Sequence, residues 1–145
     1  MLNVFFKKLR DDAIVPTKGS NLAAGYDLYA AIDEAISIPP ASNVKIGTGL
    51  AIQPPKGMFG AIFARSGLAT KQNLRPSNCV GICDEDYTGE YIVALHNDSD
   101  YPKMIMPGDR IAQLVFLPYV DVTFNEVNEL KKTDRGAGGF GSTGA

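Results

Sequence analysis

The sequence predicts an all-β domain, which would be a sandwich, a barrel or a jelly roll. Nine prolines and fifteen glycines are spread along its 145 residues. They interrupt short apolar segments at intervals of about eight to twelve residues, which is typical of β proteins. Hardly any window sustains the apolar repeat of an amphipathic helix. The length suits one domain with a substantial core and is too short for two.

The apolar segments between these breakers are the predicted strands. They are Leu2–Leu9, Tyr26–Ala30, Val44–Ile52, Met58–Ala64, Tyr91–Leu95, Ile111–Leu117 and Val120–Val127. One short helix is predicted at Ser66–Asn73, where Ser66 can cap the first turn and Leu68 and Leu74 can pack. No linker precedes the C-terminal tail, so we expect one β domain over residues 1–134 and a flexible Gly-rich segment over 135–145.

The first strand with candidate chemistry is Tyr26–Ala30. Tyr26, Leu28 and Ala30 alternate with Asp27 and Tyr29, as in a half-buried strand. Asp27 should therefore lie on the face opposite Leu28. A carboxylate in this position is expected to pair with an arginine.

The predicted helix begins in the run Ala64-Arg65-Ser66-Gly67. Free backbone N–H groups at a helix start, with an arginine and a serine beside them, favour an anion. Ser66 is not expected to be a hydrolase nucleophile, because His96 is the sole histidine and no G-x-S-x-G elbow surrounds the serine.

An acidic turn, Asp84–Gly89, lies between the apolar segments Cys79–Cys83 and Tyr91–Leu95. A strand, a polar turn with glycine and a second strand predict a hairpin. Three consecutive carboxylates repel one another, so the turn is either a solvated loop or a place where a carboxylate holds a water against a ligand. Tyr87 beside the acids, and Gly81 upstream, which permits close approach, favour the second interpretation.

Asn78 precedes this turn. Its amide carries a donor and an acceptor, so it can match the edge of a pyrimidine, although asparagine is also common in turns. Cys79 and Cys83 should project to one side of a strand about 13 Å apart, beyond disulfide reach. They fit no zinc pattern, and we interpret them as small apolar residues in a reducing compartment.

The run from Met106 to Arg110 is a Pro-Gly turn that leads into the predicted strand Ile111–Leu117. Simple alternation places Arg110, Ala112 and Leu114 on one side and Ile111 and Gln113 on the other. The arginine and the glutamine must find partners or face water.

The tail contains a G-x-G-x-x-G spacing at Gly136, Gly138 and Gly141. A dinucleotide site is not expected, because no strand leads in and too few residues follow to form a helix. The tail is either a disordered terminus or a segment that folds over a ligand, with Arg135 on phosphate and Phe140 on a base.

The net charge of −2 and the absence of a basic stripe disfavour nucleic acid as a partner. No apolar run approaches membrane-spanning length. The N-terminal segment becomes polar too quickly for a secretion signal, so we expect a cytoplasmic protein, or a nuclear one if eukaryotic or viral.

Five segments, in order, resemble the motifs of the trimeric dUTPase family, the deoxyuridine triphosphate nucleotidohydrolases. They are Ala23–Ala30, Ala64–Ala69, Asn78–Gly89, Met106–Leu114 and Arg135–Ala145. Two positions depart from the family pattern: Ala64 replaces the usual proline, and Thr88 stands where many relatives carry a larger polar residue.

The resemblance implies a jelly-roll or β-clip type distorted barrel, assembled as a homotrimer with the C-terminal arm exchanged between subunits. It implies hydrolysis of dUTP to dUMP and pyrophosphate by water attack on the α-phosphorus. Asp84 would hold and activate that water. One Mg²⁺ would be bound by the substrate phosphates and waters, with Asp27 orienting those waters and Arg110 in a structural role.

The resemblance also implies the substrate contacts. Phosphate ligands would be Arg65, Ser66, Gly67, Gln113, Arg135, Ser142 and Thr143. Contacts to uracil and deoxyribose would come from Asn78, Gly81, Ile82, Cys83, Tyr87, Ile92, Phe140 and Gly141. The alternatives are a dCTP deaminase-type enzyme on the same fold and a non-catalytic nucleotide-binding jelly roll.

Overall fold

The structure is a computed structural model that describes residues 2–139. Short strands and one helix alternate along this range. The strands are β1 (Phe5–Lys8), β2 (Thr17–Lys18), β3 (Tyr26–Tyr29), β4 (Ile36–Ile38), β5 (Asn43–Gln53), β6 (Met58–Phe63), β7 (Leu74–Pro76), β8 (Val80–Cys83), β9 (Glu90–Asn97), β10 (Lys103–Ile105) and β11 (Arg110–Pro118); the helix is α1 (Ser66–Gln72). The predicted all-β class with one short helix is confirmed.

The strands form two larger antiparallel sheets and one small one. The four-stranded sheet has the order β1-β5-β9-β7, the five-stranded sheet has the order β2-β3-β11-β6-β8, and β10 pairs with β4. Side chains from both larger sheets meet in one core, which includes the fully buried Leu28, Ile46, Tyr91, Leu95 and Leu114. This jelly-roll arrangement explains the spacing of the breakers, since every connection except the one between β2 and β3 carries the chain from one sheet to another.

The predicted hairpin around the acidic turn is wrong, although both of its strands exist. β8 pairs with β6 in the five-stranded sheet, whereas β9 pairs with β5 and β7 in the four-stranded sheet. The turn therefore crosses between sheets. Cys79 is not in a strand either: its φ of 64° places it in a left-handed turn, exposed, while Cys83 is buried. Both thiols are free.

The predicted strand over Val120–Val127 is also wrong for the chain as the structure describes it. Residues 119–127 have no strand assignment, and the side chains of Val120 and Phe124 are 83% and 95% exposed. The alternating apolar pattern is present, but residues 2–139 provide no neighbouring strand for it.

The beginning of β11 departs from simple alternation because of a bulge. The register with β3 shifts between Arg110 and Ala112. Ile111 and Ala112 are consequently both buried, Arg110 is exposed, and Gln113 is half-buried. The bulge separates Arg110 from the core side chains with which the sequence pattern had grouped it.

The helix α1 matches the predicted Ser66–Asn73 to within one residue. Its N-cap is Arg65 rather than Ser66, with no capping bond from a side chain, and Asn73 ends it with φ 55°. Among the described residues, no helix is long and apolar enough to span a membrane.

Candidate active site

Asp27, Arg65, Ser66, Gly67, Arg110 and Gln113 come together in one cleft of about 340 Å³, which Gly19, Ala23, Ala24 and Gly25 complete. Sheet register explains the meeting. Gln113 on β11 is paired with Asp27 on β3 and with Phe63 near the end of β6, and the chain leaves β6 directly into Arg65. Three sequence motifs that are far apart along the chain are thus neighbours across three adjacent strands.

Asp27 is the electrostatic centre of this cleft. Its carboxylate accepts a bond from Arg65 Nε at 2.7 Å and faces Arg110 Nη1 at 3.3 Å. The Asp27 side chain is only 14% exposed, so partial burial strengthens both pairs relative to surface ion pairs. Two guanidinium groups against one carboxylate leave a net positive charge at the cleft, which favours an anionic ligand.

Gln113 is fixed by contacts on two sides. Its Nε2 donates to the carbonyl of Ala64 at 2.8 Å. Its Oε1 occupies the space in which a Cβ on Gly25 would stand, because an ideal Cβ there would lie 2.5 Å from that oxygen. The absence of a side chain at Gly25 therefore gives Gln113 its place in the cleft. Ala64 thus supplies the acceptor carbonyl for Gln113.

Ser66 and Gly67 are exposed in the first turn of α1. Thr70 donates its hydroxyl to the Ser66 carbonyl at 2.7 Å, and the Ser66 hydroxyl makes no hydrogen bond to another residue of the range 2–139. A Cβ on Gly67 would meet nothing within 4 Å, so this side of the cleft is open to a ligand.

Asp84 lines a different cleft, of about 720 Å³, together with Gln53, Phe59, Ile82, Glu85, Asp86 and Tyr119. Asp84 and Asp86 are exposed, but Glu85 is bonded: it accepts from Gly57 N–H at 2.6 Å and from the Tyr119 hydroxyl at 2.8 Å. These two donors hold the pKa of Glu85 below its ordinary value, and the backbone N–H of Gly57 makes the larger contribution. Glu85 therefore anchors the turn and leaves Asp84 facing the cleft.

β8 is an edge strand of the five-stranded sheet, with β6 as its neighbour. Alternate residues of an antiparallel edge strand point their N–H and C=O groups outward. Asn78 lies in the exposed turn before β8, and its Nδ2 would be 3.3 Å from a Cβ on Gly81. Ile82 is 65% exposed. This edge has the unpaired backbone groups that recognition of a flat base requires.

Tyr87 is 43% exposed and donates its hydroxyl to the Glu90 carbonyl at 3.0 Å. Ile92 on β9 is 46% exposed. Cys83 differs from them, since its side chain faces the core beside Tyr91, and burial raises the pKa of its thiol to about 11. Its thiol is therefore protonated near neutral pH, and any substrate contact from this residue would have to come from its backbone.

The two clefts lie far apart within one chain. Gln113 is opposite Phe63 on β6, whereas Cys83 is opposite Gly60, which puts Asp84 level with Phe59. At about 3.3 Å per residue and about 4.8 Å per strand, four residues along and two strands across, Asp84 lies roughly 16 Å from Gln113. This separation is far longer than the roughly 3 Å over which a general base acts.

The tail residues are not assembled with either cleft in the described range. Arg135 is exposed, and its Nε donates to the Gly138 carbonyl at 2.9 Å. The remaining predicted tail contacts, Phe140, Gly141, Ser142 and Thr143, lie outside the described residues.

Sequence reasoning missed two residues that organise the clefts. Glu85 was given no role of its own among the three acids of the turn, and Gly25 was given none within the first motif. The local signals were an acid within a turn and a glycine directly before a strand. Neither signal identifies the contacting atom, because both partners are distant in sequence.

Comparisons with known proteins identify the family of this chain. The family model described as dUTPase matches residues 11–144. A deoxyuridine 5'-triphosphate nucleotidohydrolase from Desulfitobacterium hafniense is 51% identical over 123 residues, covering 84% of this chain and 82% of that protein.

Two solved structures are also similar to this chain. A mutant dUTPase of Staphylococcus bacteriophage 80alpha with dUpNHpp has a TM-score of 0.89 at 27% identity, covering 99% of both chains. A mutant dUTPase from phage phi11 of S. aureus, described as revealing the coordination of a structural Mg(II) ion, has a TM-score of 0.76 at 25% identity, covering 88% of this chain and 97% of that one. By its family model, its relatives and its fold, this chain belongs to the dUTPase family.

Proposed function

We propose that this protein hydrolyses dUTP to dUMP and pyrophosphate, and that the cationic cleft grips the phosphates while the Asp84 turn and the β8 edge hold the nucleoside. The observation that carries the proposal is the division of chemistry between the two clefts. One cleft presents Arg65, Arg110 and Gln113 to an anion. The other presents a carboxylate beside an apolar, hydrogen-bonding strand edge.

Asp84 is the proposed general base. As an exposed carboxylate at the mouth of its cleft, it accepts a hydrogen bond from a water, orients it toward the α-phosphorus and takes its proton during attack. Arg65, Ser66 and Gln113 bind the phosphate oxygens and stabilise the negative charge of the transition state and of the leaving pyrophosphate. Arg110 holds Asp27, which in turn holds Arg65 in place.

Recognition of the nucleoside is assigned to the β8 edge and the adjoining turn. Asn78 and the outward backbone groups of β8 pair with the uracil edge, and the closeness of strand and base excludes the methyl group of thymine. Tyr87 packs on the deoxyribose, where a ribose 2′-hydroxyl would clash. Ile82 and Ile92 supply apolar contacts to the nucleoside.

Mg²⁺ would enter this site bound to the phosphates of the substrate. Within residues 2–139, no group of three or more His, Cys, Asp or Glu side chains could hold a metal, and both oxygens of Asp27 face arginines. The ion would therefore be held by phosphate oxygens and water, with Asp27 as an outer acceptor for those waters. When bound, it neutralises phosphate charge.

The distance between the clefts supports assembly as a homotrimer. Since Asp84 and Gln113 of one chain are roughly 16 Å apart by sheet geometry, a complete site pairs the cationic cleft of one subunit with the Asp84 turn of another. The segment after β11 supports an exchanged arm, because Val120, Phe124 and Leu130 are at least 83% exposed and need an apolar partner.

The tail from Arg135 to Ala145 is the proposed lid. It would close over a site formed by neighbouring subunits, with Arg135, Ser142 and Thr143 on phosphate and Phe140 stacked on uracil, while Gly141 permits the tight path. Base stacking on an aromatic ring contributes about 1–3 kcal/mol in other systems.

The proposal is tested by measuring pyrophosphate release with Mg²⁺ from dUTP, dCTP, dTTP and UTP, each at the same concentration. Release from dUTP alone is the expected result. Deamination of dCTP, or no release from any nucleotide, would refute the proposal. Mixing an Asp84→Asn variant with an Arg65→Ala variant tests the shared site, since mixed trimers should regain part of the activity that each variant lacks.

A further inference from the structure

The side chain of Tyr87 is held by residues at the beginning of β9. Its hydroxyl donates to the Glu90 carbonyl at 3.0 Å. Its ring lies over Gly89, where an ideal Cβ would stand 2.5 Å from the hydroxyl oxygen, and it packs against the Tyr91 ring with centroids 6.2 Å apart. The ring position therefore depends on where the first residues of β9 are fixed.

Those residues are fixed by a bulge in β5. Gly47 is paired with Ile92 and Ala51 with Glu90, so β5 advances four residues while β9 advances two. The extra residues leave the ladder and bond to β9 in another way. Gly49 N–H donates to Glu90 Oε1 at 2.7 Å, and Thr48 Oγ1 donates to the Tyr91 carbonyl at 2.7 Å.

Glu90 consequently has two contacts at once. Its carboxylate folds over the bulge, at a point where a Cβ on Gly47 would lie 2.5 Å from Oε1. Its backbone carbonyl accepts the Tyr87 hydroxyl. Gly49 has φ +66°, which favours glycine and directs its N–H toward the carboxylate. Glu90 thus links the β5 bulge, through its carboxylate, to the Tyr87 hydroxyl, through its backbone carbonyl.

We propose that Glu90 is a positioning residue for sugar selection: through Gly49 it fixes the carbonyl that orients Tyr87, and so it sets the preference for deoxyribose over ribose. The inference rests on the proposed function, in which Tyr87 faces the deoxyribose. Glu90 itself touches no substrate atom in this scheme. If Glu90 served only fold stability, its substitution would lower the free energy of unfolding. The ratio of kcat/KM for dUTP to that for UTP would then stay unchanged.

The main test compares Glu90→Ala with Glu90→Gln. Glutamine keeps an oxygen that accepts the Gly49 N–H, whereas alanine removes it. We expect Glu90→Ala to lower the dUTP/UTP ratio about fivefold to tenfold, the equivalent of one lost hydrogen bond, mainly through a higher kcat/KM for UTP, because a displaced Tyr87 ring clashes less with the ribose 2′-hydroxyl. Glu90→Gln should restore the ratio to near the wild-type value.

Two further variants keep the test decisive if Glu90→Ala folds poorly. Gly47→Ala should displace the Glu90 carboxylate from the bulge, and it should lower the dUTP/UTP ratio as Glu90→Ala does. Tyr87→Phe removes the hydroxyl that Glu90 orients, so adding Glu90→Ala to it should lower the ratio no further. Asp12→Ala, which removes a carboxylate that accepts from Arg10 Nε at 3.0 Å, is the control and should leave the ratio unchanged.

Failure of the inference and failure of the proposed function are distinguishable with Tyr87→Ala. If Tyr87→Ala lowers the ratio but Glu90→Ala and Gly47→Ala do not, the positioning role of Glu90 is refuted and the role of Tyr87 stands. If Tyr87→Ala leaves the ratio unchanged, the sugar contact itself is refuted and the inference about Glu90 falls with it. A drop with Glu90→Gln equal to that with Glu90→Ala would also overturn it.

Discussion

Substitution of Gly25 by alanine tests whether the cationic cleft binds phosphate through Gln113. The new Cβ would lie 2.5 Å from Gln113 Oε1 and 3.3 Å from its Cδ. The atoms it meets belong to a flexible side chain, so Gln113 should swing away and lose its 2.8 Å bond to the Ala64 carbonyl. The backbone at Gly25 has no positive φ, and the cost in folding stability should therefore be small.

The cost in activity should be larger. A hydrogen bond to a charged group contributes about 1.5–3 kcal/mol, which corresponds to a fall of about 10- to 150-fold in kcat/KM for dUTP. Steady-state pyrophosphate release measures this fall, and thermal unfolding verifies that the fold is retained.

Gly19→Ala is a matched control, because Gly19 lines the same cleft and a Cβ there meets nothing within 4 Å. Its activity should fall less than about threefold, well below the effect of losing a charged hydrogen bond. A second check is Gly25→Ala in a Gln113→Ala background, where the clash no longer exists and the additional loss should vanish. Equal losses for Gly25→Ala and Gly19→Ala, or a full additional loss in the double variant, would refute the reasoning.

Three other predictions concern the Asp84 turn and the tail. Asp84→Asn should keep dUTP binding and lower turnover about 10²- to 10⁴-fold; unchanged turnover would remove Asp84 from its role. Deletion of Arg135–Ala145 should leave a folded trimer with poor activity, and loss of the trimer in sedimentation would mean that the tail is structural. Gly57 N–H and the Tyr119 hydroxyl hold the pKa of Glu85 below its ordinary value. The stability that these two bonds contribute is therefore fully present above the pKa that Glu85 has in the unfolded chain. It is lost as the pH falls through the lower pKa that Glu85 has in the folded protein. Urea unfolding between about pH 6 and pH 3 should therefore show a steeper acid loss for the wild type than for Glu85→Gln; parallel curves would contradict this.

Much of the fold follows from local patterns. The breakers, the alternation around Leu28 and the helix after Arg65 identify the class and most of the longer strands, since these signals come from neighbours in sequence. The very short strands were missed: β2 has two residues, β4, β7 and β10 have three each, and segments of that length carry too little periodicity to be recognised.

The pairing of strands was predicted less well. β8 and β9 read as a hairpin, yet β8 pairs with β6 and β9 with β5. A sequence pattern indicates which face of a strand is buried but not which strand lies beside it, because the pairing energy comes from residues far apart along the chain. The same limit made Val120–Val127 look like a strand, although the described part of the chain offers it no partner strand.

By itself, the sequence determined the chemical groups available to this protein: a carboxylate turn at Asp84, a cationic motif at Arg65, an amide at Gln113, and the β class of the domain. Those properties reside in side chains and local spacing, and they do not depend on the path of the chain. The tertiary structure alone decided which groups meet. Sheet register brought Asp27, Arg65 and Gln113 into one cleft and set Asp84 apart from them, because long-range pairing fixes distance.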